Sequence, residues 1–76
     1  PRWLHAAFAE TEETVSATIR RRRLERVRRD LADPAMADAT ITTIAFRWGF
    51  TDAATLSRQF RRTFGTTPSA YRATGR

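Results

Sequence analysis

The sequence predicts an all-α fold, and three observations carry that prediction. Apolar residues recur at helical spacing: Ile41, Ile44, Ala45 and Trp48 fall at i, i+3, i+4 and i+7, and Ala53, Leu56, Phe60 and Phe64 share one side of a second helical wheel. Glycine and proline stand where such helices would start or stop, at Pro34, Gly49, Gly65 and Pro68. The turn between the Ile41 and Ala53 segments is so short that the two helices must cross steeply and push the second one outward. The alternation of Phe46, Trp48 and Phe50 resembles a strand, but it fails upstream of Phe46, and Gly49 suits the C′ position of a helix.

Each element follows in chain order. Pro1 suits a first helical turn, and Leu4 and Phe8 repeat at i, i+4 with Trp3 beside them, up to about Thr11. Thr11-Glu12-Glu13-Thr14 breaks the apolar pattern and predicts a turn. A longer helix is expected from Val15 to Ala32, with Ile19, Leu24, Val27 and Leu31 as its apolar stripe and a Glu25–Arg29 pair on its surface. Asp33-Pro34 stops it, because the residue before proline avoids the α region. Residues 35–39 form a linker, and Thr40 caps the next helix. Thr51 or Asp52 caps the one after, Gly65 ends it, and Pro68 opens a last helical turn carrying Tyr71 and Arg72.

Composition narrows the class of function. With no cysteine the chain has neither a disulfide nor a Cys-based zinc site, and its one histidine, His5, leaves no His cluster for metal or catalysis. Without a Gly-rich phosphate loop or convergent carboxylates, an enzyme is not expected, nor are a cofactor or a metal. No apolar run approaches the ~18 residues of a membrane span, so a cytoplasmic, nucleoid-associated protein is expected. The net charge is +6, and all fourteen basic residues are arginine. Residues 20–29 hold seven Arg against one Glu, and residues 58–76 hold five Arg and no acid. Arginine grips phosphate or a guanine edge in bidentate fashion, so two such blocks point to a polyanion.

An internal repeat organises the chain. A shift of 52 superposes Leu4 on Leu56, Phe8 on Phe60, Thr11 on Thr63, Thr14 on Thr66 and Arg20 on Arg72. The first copy begins at its second helix, since the counterparts of Ile41 to Gly49 would lie before Pro1. The chain is therefore expected to be truncated within a unit.

Together, Ile44-Ala45, Gly49-Phe50-Thr51-Asp52, Leu56-Ser57-Arg58-Gln59-Phe60, Phe64-Gly65 and Pro68-Ser69-Ala70-Tyr71-Arg72 resemble the DNA-binding region of the AraC/XylS family of bacterial transcriptional regulators. Arg23-Leu24 and Leu31 fit that family's connecting helix. The pattern departs at Glu13, where the family has glycine, and at Ile19, where it has an aromatic. The resemblance implies homeodomain-like three-helix units of the helix-turn-helix type, one complete and one partial, joined by a long helix. Residues 1–14 would be the partial first unit, 15–33 the connecting helix and 34–76 the second unit. Recognition helices would enter successive major grooves of double-stranded DNA. At ~1.5 Å per residue the connecting helix spans about 25 Å, which helps hold them near the ~34 Å repeat of B-DNA. A separate effector or dimerisation domain, and contact with RNA polymerase, are also implied.

Arg58 leads the expected base contacts, because arginine to guanine O6/N7 is the commonest specific pairing. Thr55, Ala54 and Ala53 follow in the second unit, and Arg2 and His5 in the first. Thr51, Ser57, Arg61 and Arg62 suit phosphate contacts, which set register without reading sequence. The aromatic residues are expected in the core, with Trp3, Leu4 and Phe8 partly exposed. The Arg20–Arg29 block has two readings, backbone contact between grooves or a solvated face. Two other functions compete: a helical module binding an acidic protein, and nonspecific binding to nucleic acid or an anionic membrane.

Overall fold

A computed structural model describes the backbone of residues 2–74 and the side chains of residues 14–74. Helix α1 (Arg2–Ala32) is followed by a single 3₁₀ turn (Pro34–Met36), α2 (Ile41–Arg47), α3 (Ala53–Phe64) and α4 (Pro68–Thr74), with no strand among the described residues. The all-α prediction holds. The side chains of Trp3, Leu4 and Phe8 lie outside the described residues.

The N-terminal half corrects the expected layout. No turn interrupts residues 11–14; α1 runs through them as one helix, about 46 Å long at ~1.5 Å per residue. The repeat explains the difference. In the second copy α3 ends at Gly65, which takes a left-handed φ of 78° and donates its N–H to the Arg61 carbonyl at 2.8 Å. Glu13 stands at the matching place in the first copy, and a residue with a Cβ resists that conformation. With neither glycine nor proline in the segment, the helical ladder continues, and the Thr18 hydroxyl donates to the Thr14 carbonyl at 2.9 Å.

The remaining boundaries follow from local chemistry. The Asp33 carboxylate accepts from the Ala35 N–H at 2.9 Å, so the expected linker is partly ordered as the 3₁₀ turn. Thr40 caps α2, its hydroxyl accepting from the Thr43 N–H at 3.0 Å. Gly49 (φ 87°) ends the α2 region as expected. The Phe50 N–H reaches the Ala45 carbonyl at 2.9 Å and the Gly49 N–H reaches that of Phe46 at 3.2 Å. This pair of bonds is the Schellman arrangement, and it folds Phe50 back into the core.

Leu24, Val27 and Leu31 of α1 pack with Ile44 and Ala45 of α2, Phe50 of the turn, and Leu56 and Phe60 of α3. Phe60 meets Phe64 and Tyr71 edge-on, with ring centroids 4.8 and 5.9 Å away. One polar residue joins this core among the described residues. Asp30 is buried, and its Oδ2 accepts from the Trp48 indole N–H at 2.7 Å, with Arg47 Nε 3.8 Å away. At the far side Arg72 donates to the Met36 carbonyl at 2.9 Å, tying α4 to the 3₁₀ turn.

Three smaller expectations change. Ile19 is 45% exposed, because it lines an open groove beside the α2–α3 turn and is not packed into the core. Phe46 is 59% exposed, since it falls outside the stripe that α2 buries. Glu25 pairs with Arg21 at 3.2 Å in place of Arg29. Both arginines lie one turn from Glu25 on a solvated face, where such pairs differ by only a few tenths of a kcal/mol.

The two left-handed glycines yield a stability prediction. A methyl group at Gly65 would meet nothing within 4 Å, so Gly65→Ala should cost only its backbone strain, about 1 kcal/mol in urea denaturation. Gly49→Ala should cost a similar amount, because the nearest atoms belong to the end of the flexible Arg23 side chain. A neutral Gly65→Ala would remove the backbone account of where α3 ends.

Candidate nucleic-acid interface

Helix α3 owes its start to Asp52. The sequence left Thr51 and Asp52 as alternatives, and the Asp52 carboxylate takes the role, accepting from the Thr55 N–H at 2.6 Å. That hydrogen bond is the main reason its carboxyl is held below the usual range, with the Thr55 hydroxyl and the Arg58 guanidinium adding to it. Leu56 and Phe60 then bury one side of α3, which leaves a broad outer arc for a partner.

The expected site residues divide across that arc. At ~100° per residue, Ala54, Arg58 and Arg62 share the side opposite the core, and all three are exposed. Thr55 sits at the edge of this strip, half-buried, and its hydroxyl accepts from Arg58 Nη2 at 3.4 Å. Ala53 and Ser57 are half-buried on the core flank, and Arg61 is exposed on the same flank as Ser57. Thr51 is exposed in the turn before α3. The structure therefore brings Ala54, Thr55, Arg58 and Arg62 together and sets Ala53, Ser57 and Arg61 apart from them. Arg2 and His5 fall on the helical backbone of α1, but their side chains lie outside the described residues.

The structure separates two arginines from the rest of the Arg20–Arg29 block and adds one residue of α3 that the sequence reading missed. Arg20, Arg23 and Gln59 line a groove of about 320 Å³ together with Thr51 and Thr55. A signal existed for two of them: Gln59 lies one turn beyond Thr55, and Arg20 lies one turn before Leu24 on the stripe that packs. Other arginines do structural work. Arg26 and Arg47 lie over the Trp48 ring at 5.6 and 5.2 Å, and Arg28 lies over Phe64 at 4.3 Å.

A short glycine turn leading into a helix with a basic outer face is what a helix-turn-helix requires. The family model described as a helix-turn-helix domain, of the AraC type, matches residues 1–74. The chain belongs to this family. It is a DNA-binding domain of the transcription-regulator kind. No solved structure matches the chain. Within the matched residues, the Gly49 turn joins α2 directly to α3. No described helix is long and apolar enough to cross a membrane.

The cap of α3 should respond to acid in a definite direction. A carboxyl whose folded pKa is depressed contributes stability that is present above its unfolded pKa and lost as pH falls through the folded one. Asp52→Asn keeps a neutral acceptor for the Thr55 N–H and removes the titration. The wild-type domain should melt at the higher temperature near neutral pH, and the gap should close as pH drops below the usual carboxylate range. Parallel melting curves at all pH values would show that Asp52 does not titrate in this way.

Proposed function

We propose that this domain recognises a specific duplex sequence by laying α3 in the major groove, with Arg58 as its principal base reader. The observation that carries this reading is the exposed strip of Ala54, Arg58 and Arg62 opposite the buried Leu56 and Phe60. Thr55 sits at the edge of the strip, where its methyl and hydroxyl suit a base edge. The link from Arg58 Nη2 to Thr55 is long at 3.4 Å, so little is lost when the guanidinium swings to a guanine. Ala54 and Ala53 offer only methyl surface, suited to thymine. Thr51, Ser57 and Arg61 beside the strip, and Arg62 at its far end, are phosphate donors that fix register.

Residues 1–14 are read as belonging to a first unit, 15–33 as a strut and 34–76 as a second unit. Arg2 and His5 are the base-reading candidates of the first. Because α1 is one continuous helix, the orientation of that first segment relative to α3 is set by helical phase and not by a hinge.

Selection of bound duplexes from a random pool tests the proposal. A preferred site should emerge, and Arg58→Ala should weaken binding to it by about 1–3 kcal/mol while relaxing one base position. Equal weakening on all sequences would sink the base-reading role. Neutralisation of about five phosphates gives a log–log salt slope near −4.5; a flat dependence would remove the electrostatic basis of the reading.

A further inference from the structure

The seven arginines between residues 20 and 29 are not equivalent. Arg21 pairs with Glu25, Arg26 covers Trp48 and Arg28 covers Phe64. Arg20 lies 4, 7 and 11 residues before Leu24, Val27 and Leu31, which places it on the face of α1 that makes the core. At Arg20 the stripe changes from leucine to arginine, and Arg20 lines a groove with Gly49, Thr51, Thr55 and Gln59, on the side of the α2–α3 turn.

Arg23 converges on the same place. A methyl group at Gly49 would come within 3.3 Å of Arg23 Cζ, so the guanidinium lies close against the bare backbone of the turn. Neither arginine has an ion-pair partner among the described residues. The nearby carboxylates are engaged elsewhere, Glu25 by Arg21, Asp30 by Trp48 and Arg47, and Asp52 by the start of α3. Two guanidiniums with no ion-pair partner among the described residues thus face a groove whose other wall carries the Thr51 and Thr55 hydroxyls and the Gln59 amide. Such a wall donates hydrogen bonds to an anion and brings no negative charge.

We propose that this groove between α1 and the α2–α3 turn seats the DNA backbone, with Arg20 and Arg23 gripping phosphates of a strand that borders the major groove occupied by α3. The proposal rests on the major-groove reading of α3. Thr55 and Gln59 lie on the flank of α3 beside the Arg58 strip, so the strand next to that helix is carried towards the two arginines. The Thr51 hydroxyl and the Gln59 amide, together with the Arg23 guanidinium lying against Gly49, orient the phosphate. The site therefore sets the depth and tilt of α3 without reading a base.

The test uses the full chain and duplexes of selected and scrambled sequence. The pair Arg20→Gln/Arg23→Gln should weaken both duplexes by a similar factor, about tenfold near 0.1 M salt, and lower the salt slope by about 1.8. Arg22→Gln/Arg29→Gln removes the same charge from positions outside the groove and should change the slope by clearly less. Duplexes carrying single methylphosphonates give a second measurement that needs no folding assumption for the wild type. One or two neutralised positions should weaken wild-type binding and have no further effect on the Arg20/Arg23 variant. If Arg58→Ala relaxes specificity while the Arg20/Arg23 pair leaves the slope unchanged, or matches the control pair, the phosphate seat is wrong and the reading of α3 stands. If the wild type selects no duplex, both are overturned.

Discussion

The arrangement depends on a buried carboxylate. Asp30 lies in the core face of α1 and accepts the Trp48 indole N–H, with Arg47 close to the same oxygen. Trp48 is the last residue before the left-handed Gly49, so this contact holds α1 to the point where the chain turns into α3. An unpaired carboxylate in that place would carry a large desolvation cost, and an unpaired indole N–H would lose its acceptor. The bond therefore discriminates among packings that apolar contact alone would tolerate. The tight turn from α2 into α3, and hence the outward face of α3, is built on it.

Much of the fold could be read in the chain, and the reason is local. Thr40, Gly49, Gly65 and Pro68 each act through the backbone within a few residues, and each marks the boundary predicted for it. The stripe Ile41, Ile44, Ala45 and Trp48 likewise faces the core or its margin. The misplaced turn at residues 11–14 shows the limit of that reasoning. A break in apolar pattern changes what a helix packs against; it does not by itself end the hydrogen-bond ladder. Glycine at the matching position is what ends the second copy. The Asp30–Trp48 bond was illegible for a different reason: its partners are eighteen residues apart, and no local spacing announces them.

The candidate interface was legible in part. Helical periodicity placed Arg58 and Arg62 on the outer side of α3, and both are exposed there. Periodicity put Ala53 on the core side, where it is half-buried, but did not place Ser57, which packing half-covers. Nor could it sort the arginine block, because a run of like residues carries no phase of its own. Only the direction of Leu24, Val27 and Leu31 separates the arginines that sheathe Trp48 and Phe64 from those that line the groove. Charge counting treats these as one patch, while the structure divides them between cohesion and contact.

The uninterrupted α1 has a consequence for how this molecule tolerates change in length. Its described core contacts are confined to residues 24–31, and everything upstream is carried on a single rod. One residue inserted ahead of Leu24 would turn that upstream half by ~100° and shift it by ~1.5 Å. An insertion of seven residues would nearly restore the original azimuth while adding about 10.5 Å. Variation in this stretch is therefore filtered by angle before length, and near-whole turns are the increments that leave the facing surfaces aligned.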